Sequence, residues 1–342
     1  MTKPENSEKE NSLSLRSMLP GLLISVLAIF VLSRFVNLAE LQEAFALADF
    51  RWIPLVILPF IGTVFARTKA WRTLLEDEAT MTDSFFALNQ GYLLNNILPF
   101  RLGELGRALI LSERSGLSFW RVFPTIVVER VFDVGFAALL IVISLPYILD
   151  ADWALSASRV ALFLVFIGFS VLFVIARNPK LIETVIKRIT NAWPNIQAWI
   201  LKKLGSFQQG LASLRNTRRF AQVAFWLSLA WFFNLLWYLI LQRAFFPEVN
   251  WIWATMTMGA GSLGVAIPSS PGYIGVLEGT IVAAFSLFGV DPAVSLAYAI
   301  VGHALYFVVT GILGAIGFSQ QGNSLGRIYS SLLNRRSRPL EE

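Results

Sequence analysis

The chain contains no cysteine and a single histidine, His303. Without thiols there are no disulfides and no thiolate metal centres, and one imidazole cannot form a histidine cluster, so neither a metal nor a cofactor is expected. Charge is scarce as well: 15% of the 342 residues are acidic or basic, where a soluble domain usually carries about 25%. The formal net charge of +6 is modest, and no nucleic-acid partner is expected.

Apolar sequence stands in place of charge. Hydrophobic residues make up 56% of the chain, and the mean hydropathy is +0.62. They gather in runs at 18–36, 52–66, 131–149, 161–176, 223–241, 251–267, 273–290 and 293–318. Most of these are near the roughly 20 residues that a helix needs to cross about 30 Å of hydrocarbon. This arrangement predicts an all-α polytopic membrane protein, a bundle of about seven to nine membrane segments.

The basic residues orient the bundle. Arg16 precedes the first run, and Arg67, Lys69 and Arg72 close the second. The connection 177–219 is rich in Lys and Arg, and Arg327, Arg335, Arg336 and Arg338 follow the last run. Basic residues favour the cytoplasmic side, which predicts a plasma- or inner-membrane protein with both termini cytoplasmic and 150–152 outside. The first run is long and lacks a small-residue cleavage site, so it reads as an uncleaved signal anchor. The resulting division is a disordered cytoplasmic tail at 1–15, a transmembrane domain at 16–320 and a second cytoplasmic tail at 321–342. Within 177–219, Val185, Ile186, Ile189 and Trp193, then Ile196, Ile200, Leu211 and Leu214, recur at helical spacing. They predict basic amphipathic helices lying in the interface and favouring anionic lipids.

Two stretches interrupt the helical pattern. In the first, Asn95, Asn96 and Pro99 lead into Arg101, Gly103, Glu104 and Arg107. The helices on either side are too short to span, so a re-entrant hairpin is predicted; irregular backbone at membrane depth survives only in protein or along a wet cavity. In the second, Pro268, Pro271, Gly272 and Gly275 precede Glu278, and either a second hairpin or two spans would fit. Hairpins entering from opposite faces would make an inverted repeat around one central site. The breaks at Pro99, Gly103, Pro268, Pro271, Gly272 and Gly275 are the candidate hinges.

Charge placed at such breaks is costly, at roughly 2.5–3.5 kcal/mol for each central Arg or Asp. Arg101, Glu104 and Arg107 are three apart, which on a helix forms one slowly drifting stripe. Glu129 and Asp133 are four apart around Arg130 and repel unless cations approach from elsewhere; the hairpin arginines are the candidates. Buried pairs of this kind also serve purely as braces, and that alternative stands for Glu129, Arg130 and Asp133. His303, in an apolar helix, is either a packing residue or a proton relay.

The stretches 95–107, 127–133 and 268–278 together resemble the signature regions of the lysylphosphatidylglycerol synthase transmembrane, or flippase-like, family. The resemblance covers roughly residues 15–320. It implies a bundle with re-entrant helices and a role in lipid translocation. Some members move aminoacylated phosphatidylglycerol, and archaeal relatives are associated with polyprenyl-phosphate-linked sugars. The residues after Phe318 are too few for the aminoacyltransferase domain of full-length synthases, so no enzyme activity is expected. Many relatives have glycine where this chain has Tyr273.

The expected function is movement of a lipid between leaflets. Arg101 and Arg107 would bind phosphate, and Asn96, Glu129, Arg130 and Asp133 would complete the site. Glu104 and Glu278 would hold an amine or hydroxyl, or a coupling proton. The expected partners are an anionic or aminoacylated phospholipid or a polyprenyl phosphate, with a second copy or a lipid-modifying enzyme beyond these. A non-transporting scaffold and an integral-membrane lipid transferase are the alternatives.

Overall fold

Capped ends and glycine-tight crossings divide the chain into helices. The computed structural model describes residues 23–99, 101–148, scattered helical positions between 156 and 170, 177–191, 193–266 and 269–321. The expectations for the two tails, the outward segment 150–152, most of the run 161–176, and Pro268 lie outside the described residues. Among the described residues every regular element is helical, an all-α polytopic membrane fold.

The helix α1 (Leu23–Phe35) bends by 84° into α2 (Leu38–Leu47). The long α3 (Ile53–Leu74) follows, then α4 (Met81–Ile97) and α5 (Leu102–Ser115) folded into a hairpin, then α6 (Phe119–Ser144). Two helices, α7 (Pro179–Ile189) and α8 (Pro194–Gly210), form the basic connection, as its periodicity predicts. The second half repeats the first: long α9 (Thr217–Phe245), the hairpin α10 (Trp251–Gly264) and α11 (Val276–Ser286), and long α12 (Pro292–Gln321). Asn216 and Asn250 cap α9 and α10 with their side-chain oxygens, which satisfies donors that a helix start leaves free.

Length separates the two kinds of element. Phe50–Leu74, Thr217–Phe245 and Pro292–Gln320 are long and apolar enough to cross a membrane. Leu58, Phe225, Phe232 and Ile312 on these helices are exposed, as side chains facing hydrocarbon are. The hairpin helices have 17, 14, 14 and 11 residues. At 1.5 Å per residue none exceeds about 26 Å, short of the roughly 30 Å of a hydrocarbon core.

The halves pack crosswise: α4 of the first hairpin lies on α12, α10 of the second lies on α6, and α3 lies on α9. Within the first hairpin, a Cβ on Gly103 would sit 2.1 Å from the Gly91 carbonyl oxygen and 2.6 Å from Asn95 Oδ1. Gly103 is therefore a close-packing position inside α5, not a hinge. Gly272 is a true break: its φ is +67°, and a Cβ there would meet Phe307 Cζ at 2.1 Å. Helix α1 holds this second break, with Ser25 Oγ donating to Ser270 Oγ at 2.7 Å.

Candidate functional site

The first break presents Arg101 as the residue that starts α5, in left-handed backbone with φ 56°. It precedes the helix, so the expected three-residue stripe reduces to Glu104 and Arg107. Arg101 Nη2 lies 2.9 Å from Glu104 Oε1, and Arg130 Nε approaches the same oxygen at 3.4 Å. Arg130 Nη1 also reaches Asp133 Oδ2 at 3.0 Å. Arg67 closes the chain by donating to both Asp133 oxygens, at 2.8 and 3.2 Å. Trp231 Nε1–H donates to Asp133 as well, at 3.0 Å. One continuous network thus joins α5, α6, α3 and α9.

The second ion pair is deeper. Arg107 Nη2 donates to Glu129 Oε2 at 2.6 Å, with side-chain exposures of 2% and 1%. The Arg107 guanidinium also lies 4.9 Å from the Trp71 ring centroid, a favourable placement for a desolvated cation.

These groups surround a cavity of about 220 Å³. The first half contributes Arg67, Arg101, Glu104, Arg107, Arg130 and Asp133 to its lining. The second half contributes aromatic and hydroxyl surface, including Trp231, Tyr238, Tyr273 and Tyr298, together with His303. Four guanidinia face three carboxylates across both networks, so the charged end of the cavity is biased toward an anion.

Four expectations need correction. The hairpin arginines do not serve both acids of α6: Arg107 takes Glu129, but Asp133 is held by Arg67 and Arg130. Glu129 stands behind Arg107 and does not line the cavity. Asn96 turns away, its Nδ2–H bound to Thr310 Oγ1 at 2.9 Å, while its neighbour Asn95 lines the cavity. Glu278 is not among the lining groups; its Oε2 accepts the Gly275 N–H at 2.7 Å, capping α11, and its Oε1 lies 2.6 Å from His303 Nδ1. His303 is accordingly one member of a buried Glu–His pair and not a lone packing residue.

Arg67 was missed because it reads as a cytoplasmic end charge. Helix α3 instead continues to Leu74, which carries Arg67 into the interior. The available signal was its place in the buried stripe of Phe60, Val64 and Trp71, spaced as one helical face. Among the described residues no cluster of three acidic or histidine side chains has the makings of a metal site.

Known proteins resemble this chain over most of its length. A UPF0104 membrane protein of Methanocaldococcus jannaschii is 24% identical over 314 residues, covering 86% of this chain and 92% of the relative. A UPF0104 membrane protein of Methanothermobacter thermautotrophicus is 22% identical over 322 residues, covering 89% and 95%. Glycosyltransferase AglD of Haloferax volcanii is 22% identical over 344 residues, covering 88% of this chain but 54% of that protein. No solved structure matches. The lysylphosphatidylglycerol synthase TM region matches residues 18–314, and the chain belongs to that family.

Proposed function

We propose that this membrane protein is a lipid translocase, not an enzyme, and that the central cavity is where a phosphate-bearing headgroup crosses. The observation that carries this reading is the arginine network lining a cavity between two helical hairpins. Buried charge inside a membrane bundle is costly and commonly marks substrate or ion pathways. A guanidinium fork matches phosphate oxygens in geometry as well as charge. The cavity volume of about 220 Å³ suits a headgroup while the acyl or prenyl chains stay in the bilayer.

The crosswise packing of the halves supports two re-entrant hairpins entering from opposite faces, and the placement of Lys and Arg supports cytoplasmic termini. This is the layout that brings two broken segments to one midplane site. The family resemblance, which implies polyprenyl-phosphate-linked sugars for archaeal relatives, supports including a polyprenyl phosphate beside phosphatidylglycerol and its lysyl ester as candidate cargo.

The test is leaflet exchange of these three labelled lipids in liposomes carrying the purified protein, comparing wild type with Arg101→Ala. Faster exchange of one lipid, lost in a folded variant, is the expected result and names the cargo. No acceleration of any lipid by the folded wild type overturns the reading in favour of a non-transporting scaffold.

A further inference from the structure

The Glu278–His303 pair has a geometry that the arginine network does not use. Glu278 is fixed at both oxygens, by the Gly275 N–H at 2.7 Å and by His303 Nδ1 at 2.6 Å. Its carboxylate therefore holds the imidazole with Nδ1–H toward it, as carboxylate–histidine pairs do. His303 is 5% exposed and packs against the Phe307 ring, centroids 4.8 Å apart. Its Nε2 is buried and has no protein partner. His303 is the member of the pair that lines the cavity, and Nε2 is its nitrogen left without a protein partner.

In the neutral imidazole, Nε2 carries a lone pair and can only accept a hydrogen bond. A phosphate anion in the cavity offers nothing to accept from and is repelled. Once a proton sits on Nε2, the same atom donates a charge-assisted hydrogen bond to a phosphate oxygen, and the Glu278 carboxylate stabilises the imidazolium from behind.

We propose that Glu278 and His303 form a proton-coupling site: one proton binds at His303 Nε2 as one anionic headgroup enters the cavity, and both leave together on the other side. No covalent bond to the lipid changes. The proton is taken from water on the entry side and returned to water on the exit side, so each proton cancels one negative charge of the moving load and a phosphodiester headgroup crosses with no net charge. This rests on the translocase reading above.

Other ionisable groups near the pair do not duplicate its role. From the neighbouring elements, Tyr238 of α9, Tyr273 of the break, Tyr92 of α4 and the Tyr298 and Tyr306 of its own helix line the same cavity. These phenols carry no charge in the physiological range. The charged groups facing it across the cavity are Arg67 of α3, Arg101, Glu104 and Arg107 of the first hairpin, and Arg130 and Asp133 of α6. Each carboxylate among them is already held by arginine, so His303 is the group left to take up a proton.

The single histidine of the chain makes the test direct. Protein labelled with ¹⁵N-histidine gives one imidazole signal, which is followed against pH with and without short-chain phosphatidylglycerol or a short-chain prenyl phosphate. The expected result is a rise in the titration midpoint of about one pH unit on binding either probe. By reciprocity the probe binds about tenfold tighter to the protonated protein. Glu278→Gln should abolish most of that rise. In proteoliposomes, an imposed pH gradient should drive net movement of the transported lipid in wild type and not in His303→Gln. A probe that binds while leaving the His303 signal unmoved, or exchange indifferent to the gradient, overturns the coupling and leaves the translocase reading standing. Failure of every probe to bind at any pH, with no lipid exchanged, overturns both.

Discussion

The guanidinium of Arg101 lies 6.0 Å from the ring centroid of Tyr273. Each residue belongs to the break of one hairpin, and each holds left-handed backbone, with φ of 56° and 62°. A bulky residue in that region is strained by roughly 1–2 kcal/mol. Two such residues in contact across the two halves mark the place where the helix breaks meet, and both line the cavity. Strain of this kind persists where surrounding structure over-determines it, commonly at sites of function.

The backbone and side-chain roles of Arg101 can be separated. Arg101→Gly removes the guanidinium and relieves the left-handed strain, whereas Arg101→Ala removes the guanidinium alone. The glycine variant should be about 1 kcal/mol more stable than the alanine variant, while both lose lipid exchange to the same extent. Thermal unfolding in detergent and the exchange assay check this together. Recovery of exchange in the glycine variant would show that backbone conformation, not the charge, is what the site needs.

Arg67 is expected to be the most sensitive member of the network to removal. It holds both oxygens of Asp133, and the pair is largely buried, at 13% and 12% side-chain exposure. Arg67→Met leaves a buried carboxylate short of one partner, and about 3–5 kcal/mol of stability should be lost. Adding Asp133→Asn should restore at least half of it. A double variant no more stable than Arg67→Met would mean that Arg130 alone satisfies Asp133.

Arg67 also shows why part of the site was hidden in the sequence. The broken hairpin, the acids of α6 and the second break follow from local rules: a proline after apolar residues, charge at helical spacing, paired glycines. Those rules single out Arg101, Glu104, Arg107, Arg130 and Asp133, and these five line one cavity. Partner choice does not follow, because Arg67 with Asp133 and His303 with Glu278 join residues 66 and 25 positions apart. Such pairs depend on helix rotation. An arginine seven residues before a helix end looks like an interfacial anchor until the buried face of that helix is known. Gly103 was misread for a related reason: glycine signals freedom in isolation, but here it signals the approach of a second backbone.

Gly103→Ala tests that approach. The added methyl would fall 2.1 Å from a backbone oxygen that cannot move aside without shifting α4. Overpacking of this sort costs about 1–3 kcal/mol. At Gly279 of α11 a Cβ would meet nothing within 4 Å, so Gly279→Ala should be neutral or stabilising by up to about 1 kcal/mol. Parallel melting curves decide the matter, and equal behaviour of the two variants would refute the tight hairpin.

The absence of native cysteine allows the membrane layout to be read with introduced thiols. If both hairpins are re-entrant and enter from opposite faces, cysteines at Glu78 and Gly116, the two ends of the first hairpin, react with an impermeant reagent from one side. Cysteines at Glu248 and Gly289, the ends of the second, should react from the other side. Ile97 and Ile274 stand beside the breaks and are each 49% exposed, so water would reach them freely if the breaks lay at a surface. Buried at membrane depth, these two positions should resist the reagent from both sides. Ready labelling of Ile97 from the face opposite Glu78 would show that α4 crosses the bilayer completely. That result would dismantle the inverted arrangement, because the first break would then lie outside the depth at which the arginine network and the Glu278–His303 pair must share a cavity.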